Sequence, residues 1–227
     1  MKIIAINGSP RKNWNTATIL ENVLKGATAV ASDVDSEHIN LYDRDYKGCI
    51  SCFQCKLIGG KSYGRCVVND DLKPILDKII AADAVVFGSP IYFSDMTAMA
   101  RAMFERLCFP LFTYDKNYTS LAPKKVRTAF IYTMNVPENT MEQSGYPQRL
   151  KVMENFVGRI FGYPPHVQYV NNTLQFNDYK KYKAELFSEE EKKKYRAEHF
   201  PEDCKAAYQL GASLIMEVQA ASNKRTE

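Results

Sequence analysis

The chain has 227 residues, 45% hydrophobic and 25% charged, with 30 Lys and Arg against 26 Asp and Glu for a net charge of +4. That balance excludes a disordered chain, and so small and scattered a basic excess excludes the continuous stripe of a nucleic-acid binder. No apolar run approaches the ~18 residues of a membrane span, and Ile3-Ile4-Ala5-Ile6 stops at Asn7-Gly8, unlike a signal peptide.

The expected location is therefore cytoplasmic, where six cysteines serve as ligands or spectators rather than a disulfide framework. Residues 2–7 form a short apolar run that ends at Gly8-Ser9-Pro10, as a buried parallel strand does. From Thr16 to about Val30, Ile19, Leu20, Val23 and Leu24 share one helical face. A weaker strand falls near Glu37–Leu41. Asp70-Asp71 stands at the N-cap position of a helix carrying Leu72, Ile75, Leu76, Ile79 and Ile80. Ala84–Gly88 is a strand closed by a Ser89-Pro90 turn, and a helix runs from about Asp95 to Leu107. Val126–Met134 is a strand, about Pro147 to Phe161 a helix, Val167–Val170 a fifth strand, and Glu202 to about Ala220 a closing helix. Strands separated by helices imply right-handed crossovers and an α/β fold: a doubly wound, five-stranded parallel sheet with helices on both faces. Such sheets bind ligands beyond the carboxyl ends of their strands, at the switch point. The chain reads as a single domain, 1–227, with a polar insertion at about 171–200.

Gly8–Ala17 lies between a strand end and a helix start, where free amides and the helix dipole favour an anion. Ser9, Asn15 and Thr16 add neutral donors and Arg11 a charge. From the residues alone this is either a terminal-phosphate nest or a plain turn capped by Asn15. The spacing is neither that of a triphosphate loop nor that of a dinucleotide fingerprint.

The segment GSPRKNWNTATIL resembles the phosphate loop of flavodoxin-like, NAD(P)H-dependent FMN reductases, and Gly88–Ala98 resembles the flavin-ring loop of that family. Thr133-Met134-Asn135-Val136-Pro137 falls where its other ring-contacting loop follows the fourth strand. The resemblance implies the flavodoxin-like strand order 2-1-3-4-5 and FMN as cofactor, with NAD(P)H as hydride donor. It places the phosphate on Ser9, Arg11, Asn15, Thr16 and Ala17, and the ring against Pro90, Ile91, Tyr92, Phe93, Thr133, Met134 and Asn135. No protein nucleophile is expected, because the flavin carries the hard step. The implied activity is reduction of a flavin, quinone or other small acceptor; the competing reading is a one-electron carrier between protein partners. A scaffold that has lost its cofactor is the third. The three widely spaced histidines, His38, His166 and His199, read as surface or core residues.

Cys49, Cys52 and Cys55 form a C-x2-C-x2-C run, followed by Cys66. Thiolates at these gaps can converge on one centre. They read as a [4Fe–4S] site, as reduced structural thiols, or as a zinc site or redox pair. The pattern is similar to the iron–sulfur flavoprotein branch of the same family. Without a metal, the loop from Lys47 to Asn69 would be held by Phe53, Leu57 and Tyr63. Cys108 and Cys204 fall within helices and read as inert.

Ser188–Lys194 reads as a capping box opening a solvated helix, with Glu189, Glu190 and Glu191 each facing a lysine three positions on, and Glu189 and Glu190 another four on. Tyr179, Tyr182 and Tyr195 would cover the flavin site or a subunit contact. Met96, Met99, Met103, Phe104, Phe109, Leu111 and Phe112 exceed the apolar needs of one helix face, which predicts a homodimer or homotetramer.

Overall fold

The computed structural model describes residues 1–223. A parallel sheet is built from β1 (Lys2–Asn7), β2 (Asp35–Asn40), β3 (Ala84–Tyr92), β5 (Arg127–Thr133) and β6 (His166–Val170) in the order β2-β1-β3-β5-β6. That is the expected doubly wound order. A sixth strand of two residues, β4 (Asp95–Met96), pairs antiparallel with the end of β3. Both faces of the sheet are covered, and β1 shows why its apolar residues are continuous. Ile3 and Ala5 pack towards α1 (Asn15–Val30) and α6 (Glu189–Asn223), whereas Ile4 and Ile6 pack towards α2 (Lys73–Ala81), α3 (Ala98–Leu111) and α5 (Tyr146–Phe161). A short α4 (Glu138–Gln143) precedes α5. Among the described residues, no helix is long and apolar enough to cross a membrane.

Several elements depart from expectation for identifiable reasons. The strand expected to end at Gly88 continues to Tyr92, because Ser89 and Pro90 pair with Tyr132 and Thr133 of β5. The turn comes at Phe93 and Ser94, both left-handed at φ 52° and 68°. Helix α1 opens after Trp14 with no side-chain cap, so Asn15 is not an N-cap but a buried first-turn residue. Leu72, not Asp70 or Asp71, stands at the N-cap position of α2. The two helical segments expected near 188–194 and 202–220 are one helix of 35 residues that passes through Pro201. Tight packing against α1 supports it: a Cβ on Gly211 would stand 1.9 Å from the Val23 carbonyl oxygen, and one on Gly26 would stand 1.8 Å from that of Tyr208. Only glycine admits backbones that close.

Of the apolar residues expected to face a second subunit, Met96, Met103, Phe104 and Leu111 are buried in the chain's own core. Helix α3 runs through Pro110 to Leu111, which turns these side chains onto the sheet and leaves Met99, Phe109 and Phe112 partly exposed.

Candidate functional site

The carboxyl ends of β1, β3 and β5 end side by side, with Asn7 opposite Gly88 and Pro90 opposite Thr133. The loops leaving them are locked together. The Gly8 amide donates to the Gly88 carbonyl at 2.8 Å, and the Thr97 hydroxyl donates to the Gly8 carbonyl at 2.8 Å. A Cβ on Gly8 would stand 3.0 Å from that Gly88 oxygen and 3.1 Å from the Ala100 methyl, so a side chain here would push the loop or α3 back by a few tenths of an ångström. The Thr16 and Thr133 hydroxyls are hydrogen-bonded at 2.8 Å across the switch point. Ser9 is buried, and its hydroxyl accepts from the Arg11 amide at 3.1 Å.

These loops line a cleft with about 560 Å³ of space, part of it open to solvent. It brings together Ser9, Arg11, Asn15, Thr16, Pro90, Ile91, Tyr92, Thr133, Met134 and Asn135. Two of the expected residues lie elsewhere. Ala17 is fully buried and does not line the cleft, and Phe93 is fully exposed at its left-handed turn. The first turn of α1 carries no acidic residue and no side-chain cap, and it opens on this cleft through Asn15 and Thr16. It therefore suits an anion. Among the described residues the Asn135 Oδ1 is buried without a partner, which is costly unless a ligand's donor completes it.

Part of the cleft wall comes from a segment whose role the sequence leaves open. Trp14, Thr173, Leu174 and Gln175 also line it. The Leu174 carbonyl accepts from the Trp14 indole at 3.2 Å and from the Asn15 amide group at 3.0 Å, and Arg11 donates to the Gln175 carbonyl. The Thr173 amide and hydroxyl both donate to the Met134 carbonyl, at 3.0 and 3.1 Å. The lone tryptophan beside a strand-end loop was the only sequence signal for these contacts, since backbone carbonyls leave no mark on residue type. From α6, Arg196 donates to Asn15 Oδ1, and Lys192 donates to the Asn135 carbonyl and to Asn172 Oδ1. Lys192 is thus buried rather than solvated, and burial lowers its ammonium pKa to about 8. The expected pattern of glutamates facing lysines is represented by Glu189 with Lys193, while Ser188 Oγ accepts from the Glu191 amide at 3.2 Å. Tyr179 is buried, its hydroxyl accepting from the Gln175 amide at 3.1 Å, whereas Tyr195 stacks on His199.

The cysteine loop forms a second constellation. Cys49, Cys52, Cys55 and Cys66 all line one small cavity beside α3. Ser51 and Phe53, left-handed at φ 53° and 55°, flank Cys52, and such strain in non-glycine residues marks a backbone held for a purpose. Among the described residues, no three His, Cys, Asp or Glu side chains are grouped as ligands of one metal ion would be. The expected anchors Phe53, Leu57 and Tyr63 are exposed. Polar groups hold the loop instead, because its short apolar stretches face outward. The buried Arg106 donates to Cys66 Sγ at 3.4 Å, to the Lys47 and Val68 carbonyls at 3.1 and 3.2 Å, and to both oxygens of Asp70. The Lys56 ammonium binds the Phe109 and Phe112 carbonyls at the end of α3, where a cation complements the helix dipole. Cys108 is buried away from this cavity, with its thiol pushed up to about 12 by burial. Cys204 lies in α6, its thiol also raised by burial.

Residues 1–134 match the NADPH-dependent FMN reductase family. An iron–sulfur flavoprotein of Methanocaldococcus jannaschii is 36% identical over 107 residues, 47% of this chain and 51% of that protein. The chain spans about half the length of the curated relatives it matches. An NAD(P)H:quinone oxidoreductase from Methanothermobacter marburgensis superposes with a TM-score of 0.66 at 15% identity, over 94% of this chain and 96% of that one. A flavodoxin from the domain Archaea superposes at 0.51 with 15% identity, over 96% and 99%. At such identities these structures show the fold, which is flavodoxin-like.

Proposed function

The chain belongs to the NADPH-dependent FMN reductase family, and from that premise we propose an FMN-dependent oxidoreductase that takes a hydride from NAD(P)H and reduces a flavin, quinone or other small acceptor. The observation that carries this reading is the switch-point cleft, where an uncapped helix start, the Ser9 and Thr16 hydroxyls and the unpartnered Asn135 Oδ1 line one space. The donor set fits FMN: anion-binding groups at one end, and Pro90, Ile91 and Tyr92 beside the polar loop at Thr133–Asn135. Bound FMN supplies the hydride-accepting chemistry. The protein's part is to hold and orient. Ser9, Thr16 and the first turn of α1 take the phosphate, with Arg11 adding a charge. Pro90–Tyr92 cover a flat apolar surface and exclude water from it. Asn135 meets a polar ring edge, and the Lys192 ammonium behind its carbonyl stabilises negative charge there.

Purified protein should be yellow and should oxidise NAD(P)H with menadione or free flavin as acceptor. Heating should release FMN. Colourless protein with no such oxidation overturns the reading, and FAD in the supernatant overturns the choice of flavin.

A second reading, a one-electron carrier with a [4Fe–4S] cluster, is favoured by the shared cavity of the four cysteines and the Arg106 donor on Cys66. A cluster binds each thiolate at a different iron, so its ligands need not meet at one point. About four iron and four acid-labile sulfide per chain after anaerobic purification would support it; neither element returns the protein to a plain FMN reductase.

A further inference from the structure

Arg11, Trp14 and Gln175 line a second cleft as well as the first, and its remaining wall comes from residues 176–182. It holds about 700 Å³ of space, part of it open to solvent. Its side chains are of four kinds: aromatic planes at Trp14, Phe176 and Tyr182, amides at Gln175 and Asn177, cations at Arg11 and Lys181, and a carboxylate at Asp178, which pairs with Lys181 at 3.6 Å across exposed surface. The wall is already formed. Phe176 and Tyr182 are stacked at 4.1 Å with their planes 16° apart. The Tyr182 amide donates to the Tyr179 carbonyl at 3.1 Å, and the Lys180 amide donates to Asp178 Oδ1 at 3.1 Å. The Tyr179 amide donates to Glu189 Oε2 at 3.2 Å, which ties the turn to the start of α6. The Trp14 ring is fixed by its indole bond to Leu174.

Rings held in place but left exposed, as Tyr182 is, offer a stacking surface that costs little to order on binding. Cations beside rings suit a phosphate attached to a flat heteroaromatic base, and a carboxylate suits the hydroxyls of a ribose. The two clefts share a wall at Arg11, Trp14 and Gln175, so a dinucleotide whose one half meets the first cleft has its other half beside the second. We propose that this second cleft binds an adenosine phosphate group, delivered as the distal half of the dinucleotide hydride donor. The assignment of the donor rests on the oxidoreductase reading above; the adenosine phosphate chemistry rests on the cleft alone.

The test uses the FMN-loaded protein and ADP-ribose, which carries the adenosine and phosphates without a nicotinamide. Calorimetry should show ADP-ribose binding that weakens at least tenfold in the Lys181→Ala/Tyr182→Ala double variant. The variant's FMN affinity should be unchanged, since neither side chain lines the first cleft. Its KM for NAD(P)H should rise about tenfold at constant kcat, with no change for reduced nicotinamide mononucleotide. No ADP-ribose binding by the wild type, or equal affinity in the variant, overturns the proposal. Chromatography of the heat-released flavin separates the two sources of an adenosine phosphate: FMN supports the donor, and FAD assigns the cleft to the flavin and overturns the donor assignment. If ADP-ribose binding depends on Lys181 and Tyr182 while the protein oxidises no NAD(P)H, the oxidoreductase reading fails and the adenosine phosphate site stands.

Discussion

Arg11 and Lys192 are both cations at the cleft, and they differ in what each gives up to be there. Arg11 is exposed and shares its guanidinium with the Gln175 carbonyl. Arg11→Ala should loosen FMN by about 1.5–3 kcal/mol, the range for a hydrogen bond to a charged group, or roughly 10- to 150-fold in Kd. An unchanged constant in a fluorescence titration would remove Arg11 from the phosphate site. Lys192 is buried with two oxygen acceptors, neither of them a carboxylate. Its pKa is held at about 8 by burial, below the ordinary 10.5. Between those values the unfolded chain holds the extra proton, so this group makes stability rise with pH across that window. The cleft responds in the opposite sense: as pH passes 8 the ammonium is lost, and FMN binding should weaken several-fold between pH 7 and pH 9. Lys192→Gln should bind FMN more weakly at pH 7 and show a flat profile over the same range. A wild-type profile that is already flat would sink this role. Nothing in a Glu-Glu-Glu-Lys-Lys-Lys run distinguishes Lys192 from its neighbours, because the run itself reads as a solvated face; only the docking of α6 onto the Asn135 loop selects one lysine for burial.

At the scale of elements, β1 and the core of β3 were legible because a strand buried on both faces must be apolar throughout, but only the turn beyond β1 carries Gly, Ser and Pro; in β3 those residues extend the strand, and its turn falls at Phe93 and Ser94. The continuity of α6 was not. Pro201 reads as a stop by local rules, and the close approach of Gly26 and Gly211 to the opposite backbones that supports the helix is a tertiary fact. The gathering of the four cysteines was legible, and they do line one small cavity, but the support of their loop was not, since Arg106 lies 40 residues from Cys66 in sequence and inside an apolar helix. That support predicts a large effect. Arg106→Ala frees the Lys47 and Val68 carbonyls and leaves Asp70 unpaired but partly in water, a cost of about 3 kcal/mol, the low end of the range for breaking a buried pair. Tm should fall by roughly 10 °C, and residues 47–70 should become the first site of proteolysis. A Tm within a degree or two of wild type would show that the loop is held by something else.

For the molecule as a whole, the argument for self-association moves to a different surface. The α3 residues expected to meet a partner are largely spent on the core, whereas the cysteine loop exposes Ile50, Phe53, Leu57 and Ile58. Phe53 meets Phe109 edge-on at 5.9 Å, and the aromatic contacts continue through Phe112 to the exposed Tyr114 and Phe156. A continuous apolar face of this kind is rare on a monomer. We expect a homodimer or homotetramer joined through it, with Ile58→Lys shifting the population towards single chains in sedimentation at micromolar concentration. A wild-type protein that sediments as one chain would defeat the expectation.

The wall that residues 173–175 lend to the cleft is read through main-chain carbonyls at Leu174 and Gln175. Those contacts are therefore indifferent to side-chain identity. A saturation library across 174–175 should tolerate nearly every substitution with respect to FMN retention, while a one-residue deletion there should abolish it. This stretch can drift freely in sequence so long as its length is kept, so lineages could retune what the neighbouring cleft accepts without rebuilding the flavin's seat.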